Sequence, residues 1–219
     1  MAQLHRLLEA ANSAPFADAC VSAEPVPSPA RAASAAWGVR VDSRLLDECL
    51  NGDAAAWRHL HRLSYPKAAA FLRKLGVADL DVEDAAQEVF VQLFRYLASF
   101  RREAELSTWL YRICIGQARS IRRRKRLTQT LSRMLSLAPA PTLVSTPSLP
   151  DEVVRRRVEA ALGGLSDGDR TVFVLYEMEG VPGKRIAEIV DSPEASVWRR
   201  LHDARRVFRD ALEAEDAFA

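Results

Sequence analysis

Two aromatic side chains, Trp109 and Tyr111, stand shortly ahead of a dense run of cations: Arg119, Arg122, Arg123, Arg124, Lys125 and Arg126. The whole stretch, STWLYRICIGQARSIRRRKR over 107–126, reads as one helix, about 30 Å long at the usual rise per residue. Rings that can stack on bases lie at one end, and guanidinium groups that can hold phosphates lie at the other. That combination suits gripping DNA while one strand is drawn out of the duplex. On the residues alone, a plain core role for the two aromatics stands beside the stacking role. A second basic block, with Arg199, Arg200, Arg205, Arg206 and Arg209, lies near the C-terminus.

Other chemistry finds little support. The histidines are His5, His59, His61 and His202, and none has a nucleophile or ligand partner at diagnostic spacing. No phosphate-cradling glycine loop is present. Asp81, Glu83 and Asp84 are too close in sequence to converge on one point from a single helix. The expectation is a chain without catalysis, metal or cofactor. Cys20, Cys49 and Cys114 form no CxxC pair and fit a reducing, cytoplasmic setting; Cys114 falls on an apolar stripe and reads as a small core residue. No apolar run approaches the ~18 residues of a membrane span, and no signal-peptide pattern opens the chain.

The elements that must carry these groups are helical. With 48% hydrophobic and 27% charged residues in 219, the chain has an ordinary globular balance. The net charge of +2 decides nothing, because the charges segregate: bases at 119–126 and 199–209, acids at 79–88 and the C-terminus. Residues 1–40, rich in Ala, Ser and Pro, read as a loosely ordered extension. A first helical module is expected over 41–126. Leu45, Leu46, Cys49 and Leu50 recur at helical spacing after Asp42. Asp53 can cap a second helix through Tyr65, Pro66 suits the start of a third, and Gly76 ends it. Asp81–Phe100 is strongly amphipathic, with Val82, Ala86, Val89, Phe90, Leu93, Leu97 and Phe100 on one side and Asp84, Gln87, Glu88 and Arg95 on the other. That outer face is, on its own, as consistent with plain solvation as with a partner. In 107–126, with Ser107 as the cap, the apolar stripe is Leu110, Ile113, Cys114, Gln117, Ala118 and Ile121, which leaves Arg112, Arg119, Arg122 and Arg123 largely outside.

Residues 127–150 lose their acids and acquire Pro139, Pro141, Pro147 and Pro150, and so read as a flexible linker. A second module follows over 151–214, with a short tail at 215–219. Val153, Val154, Val158, Ala161 and Leu162 form one helix. Ser166 caps the next, which buries Val172, Phe173, Leu175 and Tyr176; Ser166 with Asp169 resembles a shortened capping box. Gly183–Val190 makes a third helix. Asp191 and Ser192 turn the chain, with Ser192 as cap and Pro193 first in a final helix whose stripe is Val197, Leu201, Ala204, Phe208 and Leu212. Ser196, Arg199, Asp203 and Arg206 point away from that stripe, with Trp198, His202 and Arg209 along one edge and Arg200 along the other. A capped, basic helix after a tight turn is the pattern of a helix-turn-helix whose second helix enters a major groove.

In order along the chain, LLDECLNGDAAAWRHLHRLSYP, DVEDAAQEVFVQLFRYLASF, STWLYRICIGQARSIRRRKR and LGGLSDGDRTVFVLYEMEGVPGKRIAEIVDSPEASVWRRLHDARRVF resemble regions 2 and 4 of a bacterial RNA polymerase sigma factor of the extracytoplasmic-function group. The resemblance covers about Val41 to Leu212. It implies an all-α fold of two small helical domains joined by a flexible linker. It also implies core RNA polymerase and promoter DNA as partners, an anti-sigma protein as regulator, no membrane insertion, and action in the cytoplasm. Asp84, Gln87 and Glu88 match the polymerase-docking face. Arg101 and Arg102, in the loop that captures an extruded −10 base, go with Trp109, Tyr111, Arg112, Arg119, Arg122 and Arg123 as the −10 and melting set. Ser196, Trp198, Arg199, Arg200, His202 and Arg206 make up the −35 set.

The chain departs from the family pattern at several of these places. Gly116 stands where Asn is common, Ser120 where Asp is, Arg185 where Glu is, Pro182 at the usual cap, and Trp198 where Lys is usual. Promoter preference therefore does not carry over from relatives. The competing reading is a stand-alone helix-turn-helix regulator binding operators as a dimer, which accounts for 151–212 and leaves the acidic helix and the Trp109 stretch without a task.

Overall fold

The computed structural model describes residues 42–100, 106–134 and 150–216, so the 1–40 extension, Arg101, Arg102 and the central part of the linker lie outside the described residues. All regular structure among the described residues is helical. Helices α1 (Ser43–Leu50), α2 (Ala54–Lys74), α3 (Asp79–Tyr96, followed by a 3₁₀ turn Leu97–Ser99) and α4 (Leu106–Met134) build the first lobe. The second holds α5 (Pro150–Gly163), α6 (Asp167–Phe173, running into a π-helical turn Val174–Met178), α7 (Gly183–Val190) and α8 (Glu194–Asp216).

The starts of the helices follow their capping chemistry. The Asp42 carboxylate accepts from the Arg44 amide and the Asp53 carboxylate from the Ala55 amide, satisfying donors that the first turn leaves open. Ser166 accepts from the Asp169 amide at 3.2 Å, so it caps the helix as expected; the Asp169 carboxylate accepts from the Ser166 hydroxyl and not from the Ser166 amide, so the reciprocal half of the expected capping box is not made. Helix α3 begins two residues earlier than expected, at Asp79. Its cap position is Ala78, without a side-chain hydrogen bond, and Asp79 and Asp81 supply negative charge to the first turn in place of a cap. The start of α4 at Leu106 places Ser107 inside the helix rather than at its cap.

Two expected boundaries are corrected. Pro66 does not start a helix; it lies inside α2, which runs unbroken from Ala54 to Lys74. An internal proline costs about 3 kcal/mol through a lost hydrogen bond and ring crowding. Burial of Ala56, Leu60, Ala68, Phe71 and Leu72 along the helix, on both sides of the proline, outweighs that cost. Likewise, α4 continues to Met134, into the stretch read as linker. Residues 127–134 contain no Gly or Pro, and the prolines that break regular structure begin only at Pro139.

In the first lobe Leu46, Leu60, Phe71, Leu72, Val82, Val89, Leu93, Leu97, Leu110 and Cys114 are buried. In the second lobe Val158, Leu162, Val172, Phe173, Leu175, Ile186, Val197, Leu201, Ala204 and Phe208 are buried, with the Phe173 and Phe208 rings 4.7 Å apart. The α4 stripe and the α8 stripe read from the sequence are therefore the core faces. Burial holds the Cys114 thiol far above its ordinary value, as expected of an inert packing residue.

The lobes meet. Besides its core stripe, α4 carries a second row, Tyr111, Ile115, Arg122 and Arg126, at spacings that align them on one face. Helix α4 packs against α7 of the second lobe. Across this seam the Tyr111 hydroxyl donates to Glu179 Oε2 at 3.1 Å, and Lys74 Nζ pairs with Glu179 Oε1 at 2.9 Å. Arg170 Nε donates to the Lys74 carbonyl at 2.8 Å.

Candidate nucleic-acid interface

Helix α4 presents the first group of candidate residues. Trp109 is half-buried and stacks on Phe100, with centroids 5.4 Å apart and planes 22° from parallel, so one face of the indole is backed by a ring. A backed, partly accessible indole is the form in which an aromatic offers a platform to a base. Arg119 and Arg123 are exposed on the same helix. Arg112 is also exposed, and its guanidinium donates to the Glu188 carbonyl at the end of α7.

Two of the expected DNA contacts are placed otherwise. Tyr111 is 1% exposed, packed edge-on against Phe71 at 4.8 Å, and is a core residue in this arrangement rather than a partner of Trp109 on the surface. The reason is geometric: at two residues apart on a helix, Trp109 and Tyr111 point in directions ~200° apart. Arg122, expected outside, has a side chain only 16% exposed, and Nη1 pairs with Asp167 Oδ1 at 3.0 Å. Its Nε and Nη2 are buried without a hydrogen-bond acceptor. Burial lowers its pKa; the Asp167 charge opposes that shift, and Arg126 and Arg119 add to it. Arg126 reaches the other oxygen of Asp167 at 3.3 Å.

The α7–α8 corner carries the second group. Asp191 takes the left-handed conformation, φ 51°, which ends α7, and the Ser192 amide closes the turn on the Ala187 carbonyl at 3.1 Å. Ser192 does not cap α8 as expected: its hydroxyl donates back to the Val190 carbonyl, and the Pro193 carbonyl accepts from the Ser196 and Val197 amides. On α8, Arg199, His202, Asp203 and Arg206 are exposed, and Ser196 is half-buried. Arg200 is half-buried too, because its guanidinium lies over Gly168 in α6, close enough that a Cβ there would stand 2.8 Å from Nη1. Trp198 keeps 43% of its surface exposed, and the rest packs into the corner. Its ring meets Tyr176 edge-on at 5.4 Å and covers Gly183, and its Nε1 donates to Glu194 Oε1 at 3.2 Å. Arg205 stands over the other part of this cluster, 5.4 Å from the Tyr176 ring centre and paired with Glu177, whose carboxyl burial pushes up against the lowering from Arg205.

The third group lies on α3. Asp84, Gln87 and Glu88 face outward, Glu88 half-buried and accepting from Gln92 at 3.3 Å. The same face carries Leu80, 95% exposed, with Val91 and Phe94, 65% exposed, Phe94 lying against Trp57 at 4.9 Å. These apolar residues were missed in the sequence, although the spacing Leu80, Asp84, Gln87, Val91, Phe94 repeats at helical period on the acidic side. Leu80, Val91 and Phe94 thus interrupt the acidic side of α3 with exposed apolar side chains. Among the described residues no group of three or more His, Cys, Asp or Glu side chains is placed to hold a metal ion, and no helix is long and apolar enough to cross a membrane.

Both lobes resemble known proteins. The family profile described as Sigma-70 region 2 matches residues 58–128, and that of Sigma-70, region 4 matches residues 155–207. The ECF RNA polymerase sigma-E factor of Haemophilus influenzae is 28% identical over 181 residues, spanning 78% of this chain and 95% of the relative. The protein of the same name from Escherichia coli K12 is 27% identical, spanning 78% and 94%. Among solved structures, CnrH in complex with the cytosolic domain of CnrY superposes with a TM-score of 0.60 at 23% identity, covering 78% of this chain and 96% of that one. The sigma factor RpoE in complex with the anti-sigma factor NepR from Bartonella quintana gives 0.59 at 21% identity, covering 71% and 96%. At those identities the structural likeness speaks for the fold.

Proposed function

This chain belongs to the sigma-70 family as a sigma factor of the extracytoplasmic-function group, acting in promoter recognition and transcription initiation, and on that premise we propose how its surfaces divide the work. The outer face of α3, with Asp84, Gln87 and Glu88 set among Leu80, Val91 and Phe94, docks on core polymerase. Trp109 stacks at the edge of the melted −10 segment, with Arg101 and Arg102 close to it in sequence, and Arg112, Arg119, Arg122 and Arg123 hold the duplex backbone beside it. Helix α8 lies in the major groove of the −35 element, with Arg199 and Arg206 reaching bases or phosphates, and Ser196, Trp198, Arg200 and His202 at its margins. Sigma factors are generally not enzymes, and this chain contributes no catalytic group; the chemistry of initiation belongs to the polymerase. It acts in the cytoplasm, where the polymerase is.

The observation that carries this reading is the presence, on one chain, of two basic surfaces. One adjoins a backed tryptophan, and the other follows a sharp helical corner. Each binds weakly alone; joined, the second site benefits from a high effective concentration once the first is engaged. An operator-binding regulator would use α8 and leave α3 and Trp109 idle, and nothing in the fold favours it. An anti-sigma protein is the expected regulator, since the solved relatives of this fold include a sigma factor held by one.

The test is reconstitution. With core polymerase, the chain should bind and produce run-off transcripts from promoters recovered by transcript sequencing. Glu88→Arg should weaken polymerase capture without altering the binding of α8 to a −35 duplex. Normal capture by the charge-reversed chain would reject the docking assignment.

A further inference from the structure

One acid interrupts the basic outer face of α8. Arg199, Asp203 and Arg206 are all exposed, on the side of the helix away from the buried stripe Val197, Leu201, Ala204 and Phe208. At about 100° per residue the three point within about 60° of one another. Asp203 stands four residues after Arg199 and three before Arg206, so a pose that brings both arginines to DNA brings the carboxylate there as well. Its side chain is not engaged inside the protein. The same arginine-to-acid spacing closes as an ion pair at Arg44–Glu48, 2.9 Å, and at Arg155–Glu159, 3.0 Å. Asp203, one carbon shorter, has no hydrogen bond or ion pair among the described residues. Glu194, the acid in the first turn of α8, is already taken by the Trp198 indole.

A free carboxylate in a groove walled by phosphates is repelled by both strands and loses water as it enters. Only a hydrogen-bond donor on a base edge offsets that. The major groove offers two, the amino groups of cytosine and adenine. Adenine N6 lies beside the N7 acceptor of the same base, which would face the second carboxylate oxygen. Cytosine N4 has no acceptor beside it on its own base. We propose that Asp203 is a specificity-determining residue that accepts from cytosine N4 in the −35 element; the proposal rests on the major-groove reading of α8. The flanking arginines suit the same kind of base pair, since guanine presents O6 and N7, which a guanidinium takes bidentately. The Arg199–Asp203–Arg206 row therefore reads G·C pairs, with the acid on a cytosine. From Arg199 to Asp203 the helix rises about 6 Å, less than two base steps of about 3.4 Å, so that cytosine stands within about two base pairs of the guanine that Arg199 reads. The acid works mainly by exclusion: it weakens binding at every sequence, and least where the donor is present.

The test is a selection with the holoenzyme. Promoter duplexes randomised across the −35 segment are bound by core polymerase carrying the wild-type chain, Asp203→Ala or Asp203→Asn, and the bound fraction is sequenced. The wild-type chain should enrich cytosine at one position by about fivefold or more over the other bases. Asp203→Ala should erase that preference, keep the others, and bind the unselected pool more tightly. Asp203→Asn should move the preference at that position to adenine, because an amide meets N6 and N7 together. Asp203 is exposed, and polymerase capture through α3 checks that each variant is folded. A selected element without that cytosine, or unchanged preferences in both variants, would overturn the proposal. A loss confined to a guanine position would overturn it too, making the carboxylate a brace for an arginine. A wild-type holoenzyme that enriches no −35 sequence at all would reject the groove reading of α8 itself, and the cytosine assignment with it.

Discussion

Gly183→Ala offers a sharp test of how the α7–α8 corner, the proposed −35 reader, is assembled. On helix propensity alone the substitution should help, by at most about 1 kcal/mol, because alanine loses less backbone freedom than glycine. The surroundings reverse that sign. A Cβ at position 183 would lie 2.5 Å from Cζ2 of Trp198 and 3.0 and 3.1 Å from Cη2 and Cε2, so a rigid ring edge, not a flexible chain end, must give way. The indole is held on its other sides by the edge contact with Tyr176 and by its bond to Glu194. Displacing it costs about 1–3 kcal/mol as overpacking. The net expectation is a loss of about 1 kcal/mol in the wild-type background and a slight stabilisation when Trp198 is first changed to alanine. The difference between the two backgrounds, about 1–3 kcal/mol, is a coupling energy read from a double-mutant cycle of urea melts followed by far-UV circular dichroism. Binding to a −35 duplex should fall with Gly183→Ala, since α8 and its tryptophan shift together. Equal effects of Gly183→Ala in both backgrounds would refute the claim that Trp198 is seated on this glycine.

Three further outcomes are expected. Arg199→Ala should weaken −35 duplex binding by about 1–3 kcal/mol while leaving polymerase capture intact, as measured by anisotropy and pull-down. Tyr111→Phe removes only the hydroxyl at the seam, and thermal melts of the full chain should show a loss of about 0.5–1.5 kcal/mol with the Phe71 contact preserved. Glu177, raised by burial, binds its proton more readily folded than unfolded. The stability it contributes is full below the ordinary carboxylate value and is lost as pH rises through its raised value, so Glu177→Gln should flatten the stability-versus-pH curve across that window.

The second lobe was the more legible from sequence. Gly183 through Val190 and the stripe Val197, Leu201, Ala204, Phe208 and Leu212 follow directly from periodicity bounded by punctuating residues, and the structure has the same helix and the same buried face. Where the sequence misled, a longer-range contact decided the outcome. Pro66 carries the signature of a helix start, and only packing on both sides of it keeps α2 continuous. Arg122 lies on the basic side of α4, and its engagement by Asp167 depends on a lobe that begins far along the chain. A one-helix pattern reports one buried face well; it has no means of announcing that a second partner arrives from elsewhere. The exposed Leu80, Val91 and Phe94 are legible in principle, because they recur at helical period on the acidic side of α3.

The widened turn Val174–Met178 has a bearing on evolution by insertion and deletion. There the Glu179 amide reaches the carbonyl of Val174, five residues back, in place of the usual four. Glu177 then meets Arg205 inside its own lobe, and Glu179 meets Lys74 and Tyr111 outside it. Deleting one residue from this turn would restore ordinary winding and leave the flanking chain in phase, because the turn holds one residue more than an α-helical turn. Residues inside the turn, Glu177 among them, would be re-spaced, while Glu179 at its end would keep its direction. The swollen coil thus sets the offset between two carboxylates, one turned to each lobe.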